Sequence, residues 1–152
     1  MAELLSKLMF KDSKRGYVKV EDGSVIVLRA AIIDVIPRET PPFGTEFDVN
    51  FTVGISVRPS ENVVREVSDK PLISPGTMPN EGWNLVKITE KGLAYEEAIY
   101  VNEKSEKYIL RVEIEPLMVS KNSSYKTLGG SPLYAVRWTP KVSWTISSGD
   151  KT

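Results

Sequence analysis

Catalysis at neutral pH most often runs through histidine or cysteine, and this chain of 152 residues contains neither. Their absence removes the usual general base, the commonest transition-metal ligand, the thiolate nucleophile and cysteine-ligated zinc. Carboxylates remain as the route to acid/base or metal chemistry. Glu113 and Glu115 lie two apart in an alternating run, so a strand places both on one face, where they can hold a hard cation or act as acid and base. A solvated strand face is the plainer reading of that pair. Asp34 interrupts an apolar run; its pKa would rise on burial unless it is paired, and a structural hydrogen bond or a strand end in water accounts for it more simply. Asp48 completes the carboxylates that a divalent-metal site would draw on, and Glu96-Glu97 reads as ordinary surface.

Phosphate loops, dinucleotide fingerprints and nucleophile elbows are all missing. Gly129-Gly130, followed by Ser131-Pro132, is a turn in the simplest reading and a backbone nest for an anion in a sharper one. The unusual segment is Pro116 to Thr145, which has no acidic residue, four bases and four aromatics. Aromatics interleaved with Lys and Arg suit single-stranded nucleic acid, because bases stack on rings while cations neutralise phosphates. Strand geometry qualifies this: Tyr134, Val136 and Trp138 share a face opposite Arg137, and Val142, Trp144 and Ile146 share another. Tyr134, Trp138 and Trp144 therefore read as packing residues, which leaves Lys121, Tyr125, Lys126, Arg137 and Lys141 as the candidate binding set.

Composition narrows the class. The chain carries 20 basic and 20 acidic residues, so it has no net charge to drive counterion release on a nucleic acid. The balance is local: residues 61–103 hold four bases and eight acids, and residues 104–152 the reverse. With 41% hydrophobic residues it is composed to fold, and its length fits one domain, 1–152. Glutamine is absent, charges are many and prolines sit in the apparent loops, a pattern expected of a thermophilic source. The start, MAELLSKLMFKDSKR, lacks the order of a signal peptide, and no apolar run approaches the ~20 residues that span a bilayer. These features predict a cytoplasmic protein without a membrane partner.

The elements that must position these residues are mostly strands. Residues 2–11 are expected to form a short amphipathic helix, with Leu4, Leu5, Leu8 and Met9 on one side, docked on its own domain or on a second subunit. Asp22-Gly23 predicts a tight hairpin into Val25–Ile36, an apolar strand covered on both faces that Pro37 ends and Ala30-Ala31 can bend. From Phe47 to Val57 every odd position is apolar and every even one polar or small, the cleanest half-buried strand of the chain. Pro59 to Gly82 predicts a long connection with a helical turn near Glu61–Glu66. Strands follow over 83–89, the run through Tyr108–Ile114 with a break or register shift at Pro116, 133–138 and 142–146, with Thr139–Lys141 as a turn; 93–101 reads as a strand by its hairpin position, although its alanines and glutamates also suit a helix.

Seven or eight short strands with little helix predict a mainly β, antiparallel sandwich or barrel. The functional expectation is a non-enzymatic binding or assembly module, with a protein partner or self-association as a homo-oligomer and no cofactor. Single-stranded nucleic-acid binding through the basic, aromatic C-terminal third is one alternative. A carboxylate-based metal site or enzyme is the other.

Overall fold

The computed structural model describes residues 7–147. Among them are nine strands and one helix: β1 (Leu8–Lys14), β2 (Gly16–Val20), β3 (Val25–Thr40), β4 (Gly44–Arg58), α1 (Glu61–Glu66), β5 (Trp83–Val86), β6 (Ile88–Gly92), β7 (Ala94–Val101), β8 (Lys107–Asn122) and β9 (Leu133–Ile146). Two antiparallel sheets result. In the first, β8 is the spine: β9 runs along one flank, while β7 and β5 lie end to end along the other and β1 adds outside β7. The second has the order β4-β3-β2-β6. The protein is mainly β, with its core between two sheets that do not close into a barrel.

The chain repeatedly passes from one sheet to the other. β1 and β2 follow each other directly yet belong to different sheets, as do β5 and β6, and β6 and β7. The crossings at Arg15–Gly16 and Gly92–Leu93 lie against each other. A Cβ on Gly16 would stand 2.5 Å from the Ala94 amide nitrogen, so only glycine fits there.

Alternation fills the core. β7 turns Ala94, Glu96, Ala98 and Tyr100 inward, β8 supplies Leu110, Val112 and Ile114, and β3 supplies Leu28 and Ala30. Phe47 of β4 meets Tyr100, Tyr108 and Trp144 edge-on at 5.4, 5.1 and 5.5 Å, and Trp138 meets Phe51 at 6.4 Å. Each such pair adds ~0.5–1.5 kcal/mol to the burial of its rings.

Several local expectations are corrected. Residues 8–11, expected in a helix, form part of β1, where Leu8–Phe10 pair with Tyr100–Ala98 and Lys11 falls at a register shift; residues 2–6 of that expected helix lie outside the described residues. The helical spacing of Leu8 is overridden by the ladder on β7. Pro37 does not end β3, because β2 covers β3 only as far as Leu28; the free flank beyond demands no N–H from a proline. The irregularity in β3 falls at Ile32–Asp34 rather than at Ala30-Ala31. Thr139–Lys141 is not a turn: β9 runs straight through Pro140, which an edge strand tolerates. Residues 83–89 split into β5 and β6, which serve different sheets.

The remaining signals hold. Gly23, at φ 90°, sits in the turn between β2 and β3, and β4 contains all of Phe47–Val57. The β8 register shifts between Pro116 and Met118, at the gap between its β7 and β5 partners. α1 forms where the helical turn is expected, anchored by buried Val63 and by Val67 just beyond its end.

Candidate functional site

The five candidate binding residues do not gather on one surface. Lys121 lies opposite Tyr134 in the β8–β9 ladder and shares its inward face, with its Nζ 3.2 Å from Asp22 Oδ2 and 3.4 Å from Glu66 Oε2. Lys126 donates to the Ser68 carbonyl at 3.0 Å, which ties the β8–β9 loop to the long connection, and Tyr125 beside it is half-buried. Arg137 and Lys141 are exposed on the other face of β9, where Lys141 is in register with Glu113. The aromatic rings of Tyr134, Trp138 and Trp144 pack between the sheets, as their alternation predicts. Gly129-Gly130 is a turn, closed by the Gly130 N–H on the Thr127 carbonyl at 2.9 Å.

The singled-out carboxylates are dispersed, each on a separate partner. Asp34 is exposed and accepts the N–H of Val35 at 2.9 Å; Asp48 pairs with Arg38. Glu113 takes Arg111 Nε at 2.9 Å and Glu115 takes Lys91 Nζ at 3.2 Å. Among the described residues no three acidic side chains stand together in a way that could hold a metal ion.

Two carboxylates stand apart because they reach from one sheet to the other, Asp22 partly buried and Glu96 buried. Asp22, in the β2–β3 turn, accepts the Tyr134 hydroxyl at 2.6 Å and Lys121 on Oδ2, and the Ser24 amide at 2.8 Å on Oδ1. Ser24, wholly buried, stands 3.1 Å from the Tyr134 oxygen and accepts the Ser60 amide at 3.1 Å. Ser60 in turn donates its hydroxyl to the Asp22 carbonyl, at 2.8 Å, instead of capping α1. Burial alone would raise the Asp22 pKa. The hydrogen bonds from Tyr134, Ser24 and Lys121 outweigh it and hold the carboxyl below its ordinary range. Burial, reinforced by the bond to Asp22, pushes the Tyr134 hydroxyl far above its ordinary value. This cluster ties the β2–β3 turn and α1 to the β8–β9 hairpin.

The other is Glu96. Its inward place on β7 leaves it 7% exposed, and Oε2 accepts the N–H of Ile32 at 2.5 Å. β3 has no neighbour there, since β2 has ended, and the carboxylate replaces the missing strand as acceptor. Among the described residues Glu96 has no further hydrogen-bond or ion-pair partner, and none leaves a fully buried side-chain polar atom unpartnered. The second oxygen therefore opens into the adjoining groove.

That groove, about 770 Å³, separates β1 and β7 of one sheet from the free flank of β3 in the other. Phe10, Ile33 and Ile36 line it at 66, 58 and 57% exposure, with Leu8, Ala98 and Tyr100 deeper. Ile33 owes its outward position to the β3 irregularity, which also turns Asp34 to the rim. Glu97, on the outer face of β7, is neutralised by Lys11 at 3.2 Å and Arg111 at 3.0 Å.

Reading Glu96 as ordinary surface is the correction here. Each parity of β7 contains one glutamate, so alternation alone does not say which is buried. The usable signal was the company of Glu96: Ala94 and Ala98 are small enough for an inner face. Compared with protein-family models, curated proteins and solved structures, the chain gives no significant match.

Proposed function

We propose that this chain is a non-enzymatic binding module whose ligand surface is the groove between β1, β7 and β3. The observation that carries the reading is three large apolar side chains, Phe10, Ile33 and Ile36, more than half exposed around one concave site. Scattered exposed apolar residues are ordinary, whereas a concave apolar site rimmed by a few polar groups is the usual form of a binding pocket. The volume falls within the ~300–1,000 Å³ range of small-molecule sites. The carboxylates singled out for catalysis, Asp34, Asp48, Glu113 and Glu115, are each engaged by a different neighbour.

Emission of the neutral probe N-phenyl-1-naphthylamine tests the reading. The wild-type protein is expected to enhance it, Phe10→Asp and Ile36→Asp to remove most of the enhancement, and Leu128→Asp, at an exposed residue outside the groove, to leave it intact. Equal enhancement by all four proteins, or none by wild type, sinks the proposal. Sedimentation of the same variants reads self-association: a wild-type dimer that either groove substitution splits would make a second copy the occupant.

A further inference from the structure

We infer that the groove selects an organic cation, an ammonium or guanidinium group carried on an apolar body, and that the open oxygen of Glu96 is its recognition point. The inference rests on the groove being a binding site and adds the chemistry of what it binds.

Three observations lead there. Glu96 is a buried carboxylate with one oxygen used and one not, on the wall of an apolar site, and among the described residues no cation pairs with it. A carboxylate kept from water and left without a counter-charge attracts a donor that brings positive charge, because charge-assisted hydrogen bonds are roughly twice as strong as neutral ones. Asp34, the other unpaired acid in the lining, adds negative charge at the rim. Lys7 also lines the groove, but no ion pair joins it to Glu96 or Asp34. Phe10 and Tyr100 are in the lining too, and aromatic rings receive a cation at their faces.

The same site argues against an added β-strand as occupant. An extended polypeptide would need free N–H groups along the exposed flank of β3. The Ile32 N–H is already on Glu96, the Val35 N–H is on Asp34, and residue 37 is proline. Such blocking is how natural sheets protect an edge from pairing. The edge is closed to strand addition while the carboxylate behind it stays open.

The experiment is a chemical-shift titration of the full chain with n-hexylammonium chloride and, separately, with n-hexanol, which share a chain and differ in charge. Both should move amides of the groove, Ile32 and Ala98 among them, with the ammonium binding at least about tenfold more tightly. Glu96→Gln should bring the ammonium down to the affinity of the alcohol and leave the alcohol unchanged; Asp34→Asn should weaken it about twofold, as expected of an exposed charge. Equal affinity of the two ligands for wild type overturns the cation inference and leaves the groove reading standing. An ammonium preference that survives Glu96→Gln overturns the role of Glu96. If neither ligand moves groove amides, both readings fall. The wild-type comparison needs no variant to fold.

Discussion

Asp22, partly buried, and Glu96, buried, teach by contrast. Asp22 and Glu96 both sit where one sheet meets the other, and each satisfies backbone that a turn or a missing strand leaves open. Asp22 is surrounded by matched donors: the Tyr134 hydroxyl, the Ser24 amide and the Lys121 ammonium. Glu96 has one donor, the Ile32 amide, and an apolar groove on its other side. Burying a charge is costly unless it is paired and hydrogen-bonded. A carboxylate with a full complement is a fastener. One with a single bond and an open oxygen has capacity that folding does not use, and the groove beside it is where a ligand would use it.

The largest expected effect comes from removing the fastener. Asp22→Ala leaves Lys121 with only the more distant Glu66 and strips a partner from Tyr134, in a site where the side chains of Asp22 and Lys121 are 13 and 15% exposed. Breaking a pair in such surroundings costs about 3 kcal/mol, read as a lower urea midpoint. The acid limb tests the same bond with the sign fixed. Because the folded-state pKa lies below that of an ordinary aspartate, about 3.9, the stability Asp22 contributes is present above about pH 4 and is lost as pH falls through the lower folded value. The gap between wild type and Asp22→Asn should therefore be constant from pH 7 to about pH 5 and narrow towards pH 2. A constant gap throughout would mean that the charge of Asp22 does not matter.

Removing Glu96 altogether should do less. Glu96→Ala orphans the Ile32 amide and deletes one methylene and the carboxylate from the wall, for about 2 kcal/mol. Tyr134→Phe should cost about 1 kcal/mol, since Asp22 keeps Lys121 and the Ser24 amide and the ring keeps its packing. Thermal or urea unfolding that ranked these two in the opposite order would make the cluster, not the groove, the place where a single bond is least replaceable.

How much of this was legible beforehand follows from what alternation can carry. It specified β4, the inward rings of Tyr134, Trp138 and Trp144, and the turn at Asp22-Gly23, because each depends on neighbours in sequence. It failed where pairing between distant strands decides. Leu8–Lys11 have helical spacing but are claimed by β7; Pro37 and Pro140 look like stops until their strands prove to have an unpaired flank. The surroundings of the candidate residues were hidden in the same way. Lys121 looked like a free cation because Asp22 and Glu66 are brought to it from 99 and 55 residues away, by subtraction of their numbers. Glu96 looked ordinary because its inwardness depends on β2 ending early and leaving Ile32 without a strand to bond.

The smallest effect discriminates most sharply. Glu96→Gln keeps an oxygen for the Ile32 amide and nearly the same shape, and removes only the charge. If that charge had a hidden structural partner, its loss would destabilise the fold as Asp22→Asn should, by about 1–2 kcal/mol. If instead it is a buried charge held ready for a ligand, neutralising it should leave stability unchanged or raise it by up to about 1 kcal/mol in the absence of ligand, because uncompensated burial is relieved. The two neutralisations should thus move the urea midpoint in opposite directions, or one of them not at all. A loss for Glu96→Gln equal to that for Asp22→Asn would show both carboxylates to be fasteners and erase the distinction on which the ligand chemistry of the groove depends.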